Sequence, residues 1–399
     1  MRGTSVFAAL LATAFAGMLG LGIAGCSGGR VTSPHFDGLG TTLNQIQHRA
    51  RTEGELQLVV GPGFPTRLPT GSFTTQTGCR VTTTRAASVD LVAANATRGS
   101  DGVLAQGDTI LRLADDGAIA PIEYDLVPSY RDVVPALKGQ AWDTVDGLGY
   151  AVPQGRVANL ELFRSDYLPA DTTSWAPIWS SALRGRISIY GEPIFIADAA
   201  LYLQTTRPDL RITNPYELDG KQFAVVTRLL REQRPNIDEY WNAATVRRQV
   251  ASFVSGASLV GTTWPRQVRR LSAESTAPVT ALKPSEGTTG WADAWTISAK
   301  AKHPNCMYLW LDYIVSPEAN AKVAQLFGES PANTRACELA DDDTFCVSTH
   351  AEDEEWWTDV ALWTVPEADC GDARGAVCKS YDDWQKAWDA IRARKRFPR

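Results

Sequence analysis

The chain has 399 residues, 44% of them hydrophobic and 21% charged, with a formal net charge of −6. That is enough apolar material for a buried core and two lobes, and no internal apolar stretch is long enough to span a bilayer. The acidic balance and the shortness of the basic runs RQVRRL (266–271) and RARKRFPR (392–399) argue against a nucleic-acid partner, which needs clustered Lys and Arg.

At the N-terminus, Arg2 precedes an apolar run from Val6 to Gly20 and then LGIAGC at 21–26. A positive flank, a short apolar core and small residues before a cleavage point make 1–25 an export signal. Ile23-Ala24-Gly25-Cys26 resembles a bacterial lipobox, which implies cleavage before Cys26 and a diacylglycerol on its sulfur. The alternative is an ordinary signal with a chance cysteine. The expected mature protein is exported and lipid-anchored to the cell membrane through Cys26, facing the periplasm or exterior. Polar residues 26–52 read as a tether.

Beyond the tether, LQLVVG (56–61), CRVTTT (79–84), GVLAQG (102–107) and YAVP (150–153) read as short strands, with helices at 108–115 and 198–206 between and after them. A second set follows: GRISIYG (185–191), helices over 217–234 and 244–255, and ASLVGTTW (257–264). An extended stretch at 286–298 leads to helices at 304–316 and 316–327, the latter opened by Ser316 and Pro317, and SYDDWQKAWDAIRAR (380–394) is the last helix. Strands alternating with helices imply an α/β sheet with largely parallel strands.

One of the seven cysteines is the lipid site, and the other six suit disulfides in an exported chain. Short loops favour Cys337–Cys346 and Cys370–Cys378, which leaves Cys79–Cys306 as a long-range staple. The spacing fits no zinc site, and no metal or cofactor is expected. The four histidines, His35, His48, His303 and His350, fall into no catalytic pattern. HExxH, GxSxG and a phosphate loop with its lysine are all missing, so no enzyme is expected.

EGTTGWADAWTIS (286–298) raises a sharper question. In an extended strand Trp291, Asp293 and Trp295 share one face. A carboxylate between indoles suits an alkylammonium, whose methylenes pack on the rings while the cation meets the oxygens. Trp264 or Trp291 could equally fill a core between lobes, and Asp293 could cap a hinge turn.

The order of segments resembles the extracellular solute-binding proteins of ABC importers, most closely the spermidine/putrescine-binding branch, over about 55–399. Its marks are TSWAPIW (173–179), LRGRI (183–187), TTW (262–264), EGTTGWAD (286–293), ISAKAKHPN (297–305) and SPEANAKVAQLFGESPAN (316–333). The resemblance implies a two-lobed periplasmic-binding-protein-like fold with a ligand cleft between lobes. Lobe one would be 53–152 plus 293–337 and lobe two 153–292 plus 338–399. It further implies delivery of a polyamine or related small cationic amine to ABC permease and ATPase subunits.

By the same resemblance Trp264, Trp291 and Asp293 contact ligand. The aromatic pair of that branch maps onto GPGFP (61–65), where Phe64 keeps a ring and Gly61 does not. AQGDT (105–109) offers Gln106 and Asp108, and YGEPIF (190–195) offers Glu192, with Phe195 in place of a second acid. Glu329 falls where the branch has tyrosine, and Arg156 lies close to a position often aromatic. These departures keep open an amino-acid-like or guanidino solute whose carboxylate would pair with Arg156. Two other classes compete: a lipoprotein enzyme using an Asp/Glu pair, and a structural lipoprotein whose cleft is filled by side chains.

Overall fold

The computed structural model describes residues 36–62, 64–169, 171–274, 276, 278–342 and 344–393. The expected signal peptide at 1–25, the lipidation site Cys26 and the tether as far as residue 35 lie outside the described residues. The rest of the tether expectation is corrected by a helix, α1 (Leu43–Glu53). The Thr42 hydroxyl caps it by accepting from Gln45 N, and Gly54 ends it at a φ of 68°, the left-handed conformation that glycine adopts without penalty. Ile46 and Ala50, one turn apart, are fully buried in the first core. A helix with so narrow an apolar stripe and so polar a face leaves little periodic signal.

Alternating strands and helices follow as β1 (Glu55–Val60), α2 (Gly71–Thr77), β2 (Arg80–Arg85), α3 (Val89–Arg98), β3 (Gly102–Ala105) and α4 (Gly107–Asp115). β1 pairs in parallel with both β2 and β3. Short strands β4 (Ile119–Ala120), β5 (Thr144–Val145) and β6 (Leu148–Gly149) precede β7 (Val152–Ala158), where the chain leaves the first sheet.

The second sheet is built from β8 (Leu160–Arg164), β9 (Ile187–Tyr190), α5 (Phe195–Thr206), α6 (Gly220–Gln233), β10 (Ile237–Trp241), α7 (Val246–Ser255), β11 (Val260–Thr263), α8 (Pro265–Glu274) and β12 (Val279–Leu282), in the strand order β10-β9-β11-β8-β12. β13 (Thr288–Ser298) then returns to the first sheet, followed by α9 (Pro304–Ile314), α10 (Pro317–Phe327) and β14 (Ser330–Pro331). The last part holds α11 (Phe345–Ser348), α12 (Glu354–Trp357), β15 (Val360–Leu362) and α13 (Tyr381–Arg392).

The first sheet runs β14-β7-β13-β3-β1-β2, with β4 and β15 also paired to β13. It is mixed, because β13 is antiparallel to β3 and β7. One core draws on residues between 46 and 152 and between 292 and 332, and the other mainly on residues between 157 and 291 and between 363 and 391. The result is a two-lobed α/β fold in which β7 runs out to β8 while β12 leads back into β13. All eleven residues of β13 are buried.

Disulfides join Cys79 to Cys306, Cys337 to Cys346, and Cys370 to Cys378. The first ties the start of β2 to α9 across 227 residues of chain, and the other two clip short surface segments. Among the described residues no helix is long and apolar enough to cross a membrane.

Candidate functional site

The site is organised by the alternation of β13. Trp291 stands opposite Val157 and Asp293 opposite Gly155, so these four share one face of the crossing strands, whereas Ala292 and Arg156 share the other. Asp293 is 2% exposed. Two further elements bring side chains to it. Gln106, the N-cap of α4, donates from Nε2 to Asp293 Oδ1 at 3.2 Å. Gly328 ends α10 at a φ of 76° and turns the next residue, Glu329, onto the Gly155 face. Gln154 Nε2 donates to Glu329 Oε1 at 2.6 Å, and Trp295 Nε1 donates to Gln154 Oε1 at 2.8 Å.

The two carboxyls perturb one another. Burial raises the Asp293 carboxyl to about 6, while the neighbouring Glu329, Trp291 and Gln106 groups hold it from rising further. Burial and the adjacent Asp293 charge push the Glu329 carboxyl well above the usual range. Two carboxyls this close cannot both ionise cheaply, so one of them holds its proton to higher pH than the other.

Beside the pair lies a set of rings from both ends of the second lobe. Trp264 lies 4.9 Å from Trp291 and 5.4 Å from Tyr190, centroid to centroid. Trp363, just after β15, packs between Trp291 at 4.8 Å and Tyr190 at 5.7 Å. The indoles are anchored from below: Trp264 Nε1 donates to Asn159 Oδ1 at 2.8 Å and Trp363 Nε1 to Thr289 Oγ1 at 3.1 Å. Thr289 in turn donates from its amide to Asp198 Oδ1 at 2.9 Å. Burial raises the Asp198 carboxyl to about 7, with Thr289, Asn159 and Thr288 drawing it back.

Two more acids complete the region. Asp108, in the first turn of α4, has its carboxyl raised by burial despite an ion pair with Arg112 at 3.6 Å. Burial also raises Glu192, against the pull of Arg392 and a hydrogen bond to Asn242, and the Asp108 charge adds to the rise. The Tyr190 hydroxyl is pushed up by burial and then by Glu192, Asp108, Tyr381 and Asp293. Charges of carboxyls from both lobes therefore act on one phenol.

Of the residues expected at the site, Gln106, Asp108, Glu192, Trp264, Trp291, Asp293 and Glu329 gather in this region. Phe64 does not join the rings: it packs on Phe327 at 5.3 Å. Trp295 lies in the first core, edge-on to Trp310 at 5.4 Å. Arg156, considered as a partner for a solute carboxylate at Asp293, faces the other side of the strands and pairs with Glu354. Sequence reasoning missed Tyr190, Trp363, Asn159 and Asp198. Tyr190 had a signal, the YGE run that flagged Glu192. Trp363 and Asp198 had none, since each comes to the site from a distant segment. Among the described residues no group of three or more His, Cys, Asp or Glu is disposed to hold a metal.

The bacterial extracellular solute-binding protein family matches residues 71–364 of this chain. The spermidine/putrescine-binding periplasmic protein of Escherichia coli (strain K12) is 21% identical over 299 residues, covering 72% of this chain and 82% of that protein. The putrescine/agmatine-binding protein of Pseudomonas aeruginosa is 22% identical over 253 residues, covering 61% of this chain and 68% of that protein. The Tp0655 (TpPotD) lipoprotein of Treponema pallidum has a similar solved structure, with a TM-score of 0.67 at 17% identity over 85% of this chain and 99% of that one, a likeness that shows the fold alone. The family match spans most of the chain, and the two-lobed α/β fold agrees with it: this protein belongs to the bacterial extracellular solute-binding proteins.

Proposed function

We propose that the protein is the solute-binding lipoprotein of an ABC importer and that it captures a small cationic amine, a polyamine or diamine, for delivery to the permease and ATPase subunits. The observation that carries this reading is the buried Asp293–Glu329 pair beside Trp291 and Trp264, with Asp108 and Glu192 near enough for their charges to act on Tyr190. An ammonium that enters offsets the mutual repulsion of the carboxyls, and its charge-assisted hydrogen bonds contribute about 1.5–3 kcal/mol each. Indole faces add about 0.5–2 kcal/mol per cation contact. Two such charged contacts and ring packing together approach the roughly 8 kcal/mol of a micromolar complex. The names of the Escherichia coli and Pseudomonas aeruginosa relatives, which speak of spermidine, putrescine and agmatine, support the same class.

No bond is made or broken in this mechanism. Solute bridges carboxyls of both lobes, the lobes close about β7 and β13, and the closed form docks on the permease. The sequence at 21–26 supports attachment through a lipid on Cys26. A guanidino solute is the second reading, favoured by the Asp293–Glu329 pair, since two adjacent carboxyls match a planar fork of donors.

Thermal melting of the purified protein with putrescine, spermidine, agmatine, GABA and arginine tests the proposal. A ligand that binds only the folded state raises stability by about 2.7 kcal/mol at one hundred times its dissociation constant. A shift with a diamine or polyamine that Asp293→Asn abolishes is the expected result. Agmatine alone would select the guanidino reading, and no shift with any of them would end the cationic reading.

A further inference from the structure

The opposite face of the crossing strands carries a second arrangement that the cation site does not use. A cavity of about 480 Å³ opens there, lined by Gln140 and Trp142 of the first lobe, Asn214 and Tyr216 of the second, and Glu354 and Trp357 of the last part of the chain, among others. Small-molecule sites occupy roughly 300–1,000 Å³. Arg156 and Glu354 are the two charged residues that line it.

Arg156 is 2% exposed, and its guanidinium lies 4.2 Å above the Trp357 ring. Nη1 donates to Glu354 Oε2 at 3.2 Å and Nη2 donates to Glu354 Oε1. Nε is buried with no hydrogen-bond partner. A buried guanidinium with an unused donor retains binding capacity for an oxygen acceptor. Its one counter-charge, Glu354, has a side chain 52% exposed and so is not locked in place by packing.

We propose that this cavity is a second ligand site, separate from the carboxyl cluster, and that it takes a zwitterion of the α-amino-acid class. The ligand carboxylate meets the guanidinium fork of Arg156, and Glu354 moves to the ligand ammonium. A simple anion would crowd Glu354, and a simple cation would face Arg156 across a short distance. A solute with both charges satisfies both partners and leaves no buried charge unpaired. Trp142, Trp357 and Tyr216 give its side chain an aromatic wall. Because both lobes line the cavity, occupation favours the closed form.

The test uses the purified protein and two probe series: L-leucine with isoamylamine and 4-methylpentanoate, and L-phenylalanine with phenethylamine and 3-phenylpropionate. The remaining proteinogenic amino acids are screened alongside. Melting and calorimetric titration are read for the wild type, Glu354→Gln, Arg156→Lys and Asp293→Asn. The expected result is binding of at least one amino acid but not of its amine or its carboxylate. That binding weakens about tenfold or more in Glu354→Gln, the scale of one charge-assisted contact, and persists in Asp293→Asn. Glu354 is half exposed and glutamine keeps an acceptor oxygen for the guanidinium, so Glu354→Gln disturbs folding less than Arg156→Lys. Three results would overturn the proposal: no response to any amino acid, equal binding of the lone carboxylate, or binding that survives Glu354→Gln and vanishes in Asp293→Asn. The first two leave diamine binding at Asp293 untouched, and the third would move the amino acid to that site.

Discussion

The carboxyl group of Glu329 fills the space that a side chain at Gly155 would need. A Cβ built on Gly155 would stand 2.5 Å from the Glu329 carboxyl carbon and 2.8 Å from the backbone oxygen of Ser330. The glycine lets the turn after α10 close onto β7 and lets Glu329 reach Asp293.

Gly155→Ala should therefore act at two levels. Forcing a methyl into a packed strand costs about 1–3 kcal/mol, and the backbone oxygen of Ser330 cannot swing aside as a side chain does. The variant is expected to show a lower urea midpoint with an unchanged slope and weaker amine binding. Unaltered stability would mean that β14 shifts freely from β7.

The role proposed for Asp293 predicts a pH dependence of amine capture. Its carboxyl is raised to about 6, so the free site is protonated below that value and a cation must compete with the proton. Amine affinity should fall by up to about tenfold per unit as pH drops below 6 and Asp293 takes up its proton. Asp293→Asn should lower affinity at pH 7.5 by about ten- to a hundredfold and flatten the profile. Calorimetric titration across pH 5–8 reads both effects, and a profile that stays steep in the variant would move the titrating group elsewhere.

Glu161 predicts a pH-dependent stability with no link to ligand. It is fully buried on β8, and neither of its carboxyl oxygens has a hydrogen-bond partner. Burial raises it to about 9, and Glu286 pushes the same way. Its folded value exceeds the unfolded value of about 4.3, so the folded chain holds a proton that the unfolded chain releases. That contribution is fully present below about pH 4 and is lost as pH rises towards 9. Glu161→Gln should be more stable than wild type at pH 8 by on the order of 5 kcal/mol, with the gap closing near pH 4. Paired urea titrations at the two pH values decide it, and equal gaps would show that the carboxyl does not titrate as described.

The Cys79–Cys306 disulfide closes 227 residues of chain. Replacing both cysteines with serine should lower stability by about 2–4 kcal/mol, chiefly by freeing the unfolded chain. The Cys370–Cys378 disulfide closes a loop of only 8 residues, so the Cys370→Ser/Cys378→Ser variant should lose less. The ordering of the two midpoints in urea is the readout, and a smaller loss for the long loop would contradict the loop-entropy account.

Much of the lobes' framework was legible along the chain because it depends on neighbours in sequence. The strands at 56–61 and 102–107, the helix opened by Ser316 and Pro317, and the shared face of Trp291 and Asp293 all follow from short-range periodicity and capping. Helix α1 escaped because its stability comes from Ile46 and Ala50 docking on the first core rather than from its own polar sequence. The site needed the tertiary structure for the same kind of reason. Alternation can place Asp293 on a face, but only packing brings Glu329 from the end of α10 and Trp363 from beyond β15 to that face. Strand pairing likewise sent Arg156 to the opposite side, because adjacent residues on β7 point opposite ways and Gly155 already faces Asp293. Periodicity assigns directions within an element, whereas the energies that raise the carboxyls and hold Arg156 on Glu354 arise between elements, where burial and nearby charge are settled by the fold.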